Sequence, residues 1–199
     1  TVGAGGLWTT SFTGAQLAAA GSLTAVATTT DAAGNTREQT VRFVRDIQAS
    51  PVDLIDADGV QDAGNVGSIL RSAAAAGIQQ VFCAPGTAYA WSSKVLRSGM
   101  GAHFLLKIHE DVEPQGLIER LAVPVVITDS HGAEAIYDCD LSGPLAWVFG
   151  NEGAGVSQTW RDAVSLRVTI PQPGGMESLN VAAAAAVCVF EQCRQQRRA

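Results

Sequence analysis

Three short segments carry the polar residues whose types and spacing can do chemistry. The first is Asp62-Ala63-Gly64-Asn65-Val66-Gly67-Ser68-Ile69-Leu70-Arg71. A strand ends, a Gly-Asn pair turns and a helix starts. Asn65 and Ser68 are cap candidates, and the free N–H groups of a helix start can hold an anion. Arg71 follows Asn65 by six positions, nearly two helical turns, among small residues. Read alone, this is a capped helix with a solvated arginine. The second segment is Trp147-Val148-Phe149-Gly150-Asn151-Glu152-Gly153-Ala154-Gly155-Val156-Ser157, an apolar strand running into a glycine-rich loop with one carboxylate. Glycines at this density let backbone approach a ligand closely. The G-x-x-G-x-G order is not that of a dinucleotide fingerprint, and no Walker lysine is present. The third segment runs from Ile170-Pro171-Gln172-Pro173-Gly174-Gly175 through Met176-Glu177-Ser178-Leu179-Asn180 to Val181-Ala182. A strand ends in a Pro/Gly loop that delivers Ser178 as a helix N-cap candidate, with Asn180 beside it.

The elements that must position these residues alternate between strand and helix. Strands are expected over 52–56, 80–83, 104–108, 123–128, 145–149 and 165–170. Helices are expected over 65–76, 91–98, 114–121, 157–163 and 178–195. Such alternation argues for an α/β domain with a mainly parallel sheet flanked by helices.

Taken together, the segments D-x-x-N-x-G-x-x-x-R, F-G-N-E-G-x-G and I-P-x-x-x-x-x-E-S-L-N-V-A resemble the three motifs of the SpoU (TrmH-type) RNA ribose 2′-O-methyltransferases, within the SPOUT superfamily. The resemblance covers about residues 51–195 with motif order intact, and Lys94 to Ala102 resembles the family's stretch between motifs one and two. It implies an α/β fold whose C-terminal segment is tucked as a trefoil knot, one of the rare exceptions to unknotted chains. It implies S-adenosylmethionine as cofactor, held mainly through backbone at Gly150, Ile170 and Leu179, and a homodimer whose site draws on both subunits. Arg71 corresponds to the motif-one arginine that acts on the ribose hydroxyl. Asn65, Glu152, Ser178 and Asn180 match the polar positions that organise the site and the RNA. An arginine is a poor general base in water. It can act when desolvated, or as an electrostatic stabiliser of the forming alkoxide; the sequence leaves both roles open.

The expected reaction is methylation of a ribose 2′-hydroxyl in rRNA or tRNA. Rivals are a catalytically weak or inactive RNA-binding module that kept the fold, a base methyltransferase and a generic nucleotide-binding domain. The missing G-x-G-x-x-G and Walker patterns weigh against the last.

Residues 1–48 read differently from the rest. They are rich in Thr, Ala and Gly, and alternate with period two over 23–28 and 40–45 around the turn-rich Asp31-Ala32-Ala33-Gly34-Asn35. This predicts a β-hairpin appendage that resembles the end of a bacterial immunoglobulin-like repeat. The methyltransferase domain is expected over 49–199. It holds ten basic and sixteen acidic residues, the whole of the chain's net charge of −6. That acidity argues against holding RNA by bulk charge. It leaves a local patch of Arg71, Lys94 and Arg97, with Arg194, Arg197 and Arg198 as a basic tail.

The four cysteines, Cys83, Cys139, Cys188 and Cys193, form no CxxC, so reduced, mostly buried thiols are expected. His103, His109 and His131 lack metal spacing, so no metal is called for and structural or surface roles are expected, with His103 in a stretch that can lie near RNA. No apolar run reaches the roughly 18 uncharged residues of a bilayer span, and the apolar start lacks a basic n-region. A cytoplasmic protein with no membrane partner is expected.

Overall fold

The computed structural model describes residues 53–129, 134–174, 176 and 178–197, and the backbone of 22–30 and 36–44. The chain divides into two units, Thr1–Gln48 and Ala49–Ala199. In the first, strands β1 (Ser22–Thr30) and β2 (Thr36–Val44) pair antiparallel, from Ser22 opposite Val44 to Thr30 opposite Thr36. The two period-two runs read there, 23–28 and 40–45, overlap these paired strands, and the turn expected between them, 31–35, lies outside the described residues.

The second unit is built on one seven-stranded sheet. Its strands are β3 (Leu54–Asp58), β4 (Gln80–Cys83), β5 (Lys107–His109), β6 (Val125–Thr128), β7 (Glu134–Ala135), β8 (Ala146–Gly150) and β9 (Leu166–Thr169). They lie in the order β5-β4-β3-β8-β6-β9-β7, with every neighbouring pair parallel. The chain moves outward from β3 to β5, then jumps back across β3 to β6. Such a reversal opens a crevice at the carboxyl ends of the strands.

Among the described residues five helices accompany the sheet: α1 (Ala63–Ala76), α2 (Ser93–Gly99), α3 (Pro114–Ile118), α4 (Gln158–Ala163) and α5 (Val181–Gln196). Val66, Ile69, Leu70 and Ala73 form the buried stripe of α1, spaced i, i+3, i+4, i+7. They pack with Ala185, Cys188 and Val189 of α5 on Ile55, Ala57, Trp147 and Phe149 of the central strands. The opposite face of β3 carries Leu54, Asp56 and Asp58, because successive side chains alternate, and there α4 buries Trp160. Trp147 Nε1 donates to Gln192 Oε1 at 2.7 Å, which ties α5 to the sheet through a polar contact in the core.

The sequence expectations differ from this fold at several points. The strand expected over 104–108 is a 3-10 turn at Ala102–Phe104 followed by the short β5. Ala102 and His103 turn inward while Phe104 is left in solvent, a pattern that no strand period describes. β7 is two residues long and invisible to a periodicity argument. α1 is capped by Asp62, whose Oδ1 accepts from the N–H groups of Gly64 and Asn65, and neither Asn65 nor Ser68 caps it. α5 begins at Val181, so its cap is Asn180 and not Ser178. Cys83, Cys139 and Cys188 are buried and all four cysteines are free. Burial, with the nearby carboxylates of Asp56, Glu110 and Asp111, pushes the Cys83 thiol up to about 12. His103 is buried with Nε2 at 2.8 Å from the Ala90 carbonyl, and His109 stacks on Phe82, so both serve the structure; His131 lies outside the described residues. Among the described residues no group of three His, Cys, Asp or Glu can hold a metal, and no helix is long and apolar enough to cross a membrane. The loops that the expected knot would thread include residues 130–133, 175 and 177, outside the described ones.

Candidate active site

Parallel register brings the first two segments together. Asp58 at the end of β3 lies opposite Gly150 at the end of β8, so the loops that leave the two strands emerge side by side. Asn151 shapes the second loop. It exchanges backbone hydrogen bonds with Gly155 at 3.0 and 2.9 Å, accepts from the N–H groups of Gly153 and Ala154 on Oδ1, and donates from Nδ2 to the Gly59 carbonyl. The loop folds tightly over its own strand. A Cβ on Gly150 would lie 2.3 Å from the backbone of Gly155 and Val156, so only glycine fits there.

That loop holds Glu152 against the start of α1. Its Oε2 accepts from Gln61 N–H at 3.1 Å, and its Oε1 accepts from Asp62 N–H at 3.1 Å and from Asn65 Nδ2 at 2.9 Å. Asn65 Oδ1 in turn accepts from Asn180 Nδ2 at 2.9 Å. Asn180 Oδ1 caps α5 by accepting from Ala182 and Ala183 N–H. One hydrogen-bond chain, Glu152 to Asn65 to Asn180, thus joins all three segments. With the cap of α1 taken by Asp62, the Asn65 side chain is free to bridge. Asp62 also pairs with Lys94 at 3.1 Å, and that bond, with the Asn65 and Gly64 N–H groups, holds its carboxyl below the usual range. For Glu152, partial burial opposes the charge, but the bonds from Asn65 and the backbone outweigh it, and its carboxyl also sits low.

Beside this chain opens a cavity of about 530 Å³ at the carboxyl ends of β6, β8 and β9, within the size range of small-molecule sites. Of the residues singled out from sequence, Gly150, Glu152, Ile170, Ser178, Leu179 and Asn180 line it. Asn65 stands behind two of them. Arg71 is not in the lining. Six positions at about 100° each turn it about 240° from Asn65, onto an exposed face of α1, where its guanidinium has no partner among the described residues.

Outside the three segments, sequence reasoning missed the lining residues Thr128, Asp129, Arg161, Thr169 and Ala184, and within the third it gave Gln172 no role. Thr128 and Asp129 had one available signal, their place at the end of a parallel strand, where such crevices form. Arg161 donates from Nε to the Val156 carbonyl at 2.9 Å and braces the loop. Gln172 presents a buried Oε1 with no hydrogen-bond partner among the described residues, an acceptor suited to a ligand N–H or O–H.

Comparison with known proteins agrees with this geometry. The sequence model of the SpoU rRNA methylase family matches residues 54–190. The chain is 34% identical over 164 residues to the 23S rRNA (guanosine-2′-O-)-methyltransferase RlmB of Bordetella pertussis, covering 77% of this chain and 64% of that one. It is 40% identical over 144 residues to the 23S rRNA (guanosine(2553)-2′-O)-methyltransferase RlmP of Bacillus subtilis, covering 71% and 57%. It therefore spans less than two thirds of the length of these relatives. Among solved structures, the SpoU methyltransferase AviRb from Streptomyces viridochromogenes in complex with AdoMet superposes with a TM-score of 0.72 at 30% identity, covering 78% of this chain and 65% of that one. On the family match, the shared fold and the three joined motifs, the chain belongs to the SpoU rRNA methylase family.

Proposed function

We propose that this chain transfers a methyl group from S-adenosylmethionine to a ribose 2′-hydroxyl of rRNA or tRNA. The observation that carries the reading is the Glu152–Asn65–Asn180 chain, which joins the three family motifs at the lip of one cavity. The residues present fit the cofactor. Gly150 admits close backbone approach, and the unsatisfied Gln172 Oε1 awaits a donor such as a purine amino group. Gly150, Ile170 and Leu179 would hold it, with Leu179 part-exposed as an apolar wall. When bound, it supplies a methyl on a sulfonium, which an in-line oxygen nucleophile can take.

The chain's own residues must position and activate that hydroxyl. Asn65 is held by partners at both ends and fixes the spacing between motif two and motif three. Ser178 lines the cavity without a cap to serve and is available to the RNA. Glu152, ionised at neutral pH, orders the start of α1. Arg71 stands outside the cavity of its own chain, which suits a homodimer in which it reaches the partner's site; the part-exposed Phe190 on α5 supplies apolar surface for such a contact. There Arg71 stabilises the forming alkoxide or, if desolvated to the neutral guanidine, takes the proton that the 2′-hydroxyl gives up. A trefoil knot belongs to the same reading. Its support is the strand order, in which β6 and β7, consecutive in sequence, flank β9. Residues 1–48 are proposed as an appendage to this domain.

The test is transfer of labelled methyl to rRNA and tRNA, with the product mapped by nuclease digestion. A ribose-methylated nucleotide is expected, and loss of transfer in Arg71→Ala with cofactor affinity retained. Base-methylated product, or no transfer to either RNA, would refute the reading.

A further inference from the structure

Residues 63–109 contain no Asp or Glu, although the unit from Ala49 onward holds sixteen. The same span carries Arg71, Lys94, Arg97 and Lys107. It folds as α1, α2, the 3-10 turn and strands β4 and β5, with α1, α2 and the turn packed on one another. An acidic unit thus has one stretch of chain with no carboxylates of its own, flanked by Asp62 and Glu110, which bond to Lys94 and to the Ala90 N–H within it. The charged groups of Arg71, Arg97 and Lys107 have no partner among the described residues.

Large apolar side chains stand on the surface of that stretch. Phe104 is 92% exposed, Leu105 71% and Met100 70%. Apolar clusters of this kind mark interaction sites. Their exposure is built in rather than frayed. Met100 and Gly101 are both left-handed, at φ 49° and 88°, which for Met100 is a strained state of the kind found at functional positions. Gly101 O accepts from Phe104 N–H at 3.1 Å, and Ala102 O accepts from Leu105 N–H at 2.9 Å. Ala102 and His103 are buried beneath, with the His103 ring 5.0 Å from that of Trp91. A Cβ on Gly99 would lie 2.9 Å from His103 Cε1. The turn is locked from below, so Phe104 is held outward.

The surface is continuous with the candidate active site. Ser98 Oγ donates to the Ala63 carbonyl at 3.2 Å. Lys94 pairs with Asp62, whose own N–H is held by Glu152. We propose that Phe104, with Met100 beside it, is a stacking platform for an unpaired base of the RNA next to the methylated nucleotide, the neighbouring cations holding its phosphates. The proposal rests on the RNA-methyltransferase reading and adds to it a substrate form, single-stranded or looped RNA. Every base offers a π-face to an aromatic ring, whereas the bases of a duplex are stacked away. The charges of Arg97 and Lys107, seven and three positions from Phe104 along the chain, favour a polyanion at this turn.

The test uses the full chain and a fluorescently labelled, mixed-sequence RNA strand of about 12 nucleotides, within the range one small domain covers, alone or annealed to its complement. Anisotropy titration of the wild type is expected to favour the single strand. Phe104→Ala is expected to weaken it about tenfold, the scale of one lost stacking contact. Phe104→Trp should retain affinity, and duplex binding should not change. Calorimetric affinity for S-adenosylmethionine and the sedimentation coefficient should be those of the wild type. Unchanged single-strand affinity in Phe104→Ala, or a preference for duplex, overturns the platform. So does a shift in sedimentation, which would assign the surface to a second copy. If single-strand binding depends on Phe104 but no RNA is methylated, the enzymatic reading fails and the platform stands. If RNA is methylated and binding ignores Phe104, only the platform fails.

Discussion

Two carboxyl groups on neighbouring central strands or their loops meet opposite fates. Glu152, on the loop after β8, accepts three hydrogen bonds and sits below its ordinary range. Asp56, mid-way along β3, is fully buried, and neither of its oxygens has a hydrogen bond of normal geometry among the described residues. Burial, then the nearby Asp58, push it well above the ordinary range, opposed only weakly by the indole N–H of Trp160. The rim carboxyl is held on the charged side of its ordinary behaviour and the interior one is pushed towards the neutral form. Ser157 Oγ also has no hydrogen-bond partner among the described residues, although Ser157 N–H itself donates to Asp58 at 2.6 Å. The difference teaches where polar order is concentrated in this fold. The rim, open to solvent, is tied by specific bonds because the motifs must keep their relative positions. The interior tolerates loose polar atoms beneath it because packing holds the strands.

The largest effect that would break this comparison comes from Gly150→Ala. The new Cβ has no space under the loop, so the rim should separate from its strand. S-adenosylmethionine affinity in a calorimetric titration is expected to fall by 100-fold or more, on the order of a full misplacement of the site. Glu152→Ala comes next. It releases three donors and uncouples motif one from motif two. Single-turnover methyl transfer should drop about 100-fold, while urea denaturation shows a loss of only about 1–2 kcal/mol, because donors at the rim can turn to water. Equal losses in Asn151→Ala and Glu152→Ala would show that loop shape, not the carboxylate, carries the effect.

The interior carboxyl should respond the other way. Asp56→Asn keeps the shape of the carboxyl, which lies outside the cavity lining, so activity should change less than about threefold, in line with a near-isosteric swap. Its signature is in pH. A raised folded pKa means that the native state keeps a proton the unfolded chain releases, so the wild type loses stability as pH rises from about 4 towards the folded pKa. Denaturant midpoints should show Asp56→Asn gaining on the wild type over that interval. Glu152 has the opposite sign: its contribution is present above about pH 4.3 and fades as pH falls through its lowered folded pKa. Glu152→Gln should therefore flatten the acid limb alone. The smallest expected effect is removal of residues 1–48, after which calorimetry should find cofactor affinity within about twofold of the full chain, as for independent regions, since every lining residue of the cavity belongs to the second unit.

Much of the frame was legible from the sequence, because helix and strand periods and the glycine loops are local properties. β3, β4, β6, β8, β9 and the longer helices fall where the patterns put them, to within a few residues. The region around Phe104 did not, since a residue buried at 103 and exposed at 104 obeys tertiary packing on Trp91 and Gly99 rather than a period. In the site, six of eight residues singled out line the cavity and a seventh bonds to two of them. Arg71 is the exception within one chain, because helical phase turns it away.

The sequence by itself determined which residues are available: a Gly-rich loop with one carboxylate, two asparagines near helix starts, an arginine on α1. Only the tertiary structure decided which of them meet. The parallel register of Asp58 with Gly150 sets Glu152 against residues 61–65, and the return of α5 to α1 sets Asn180 against Asn65. Those partners lie 87 and 115 positions apart. Local propensity cannot encode such distances. They are fixed by strand pairing and by the buried stripe that packs the two helices together.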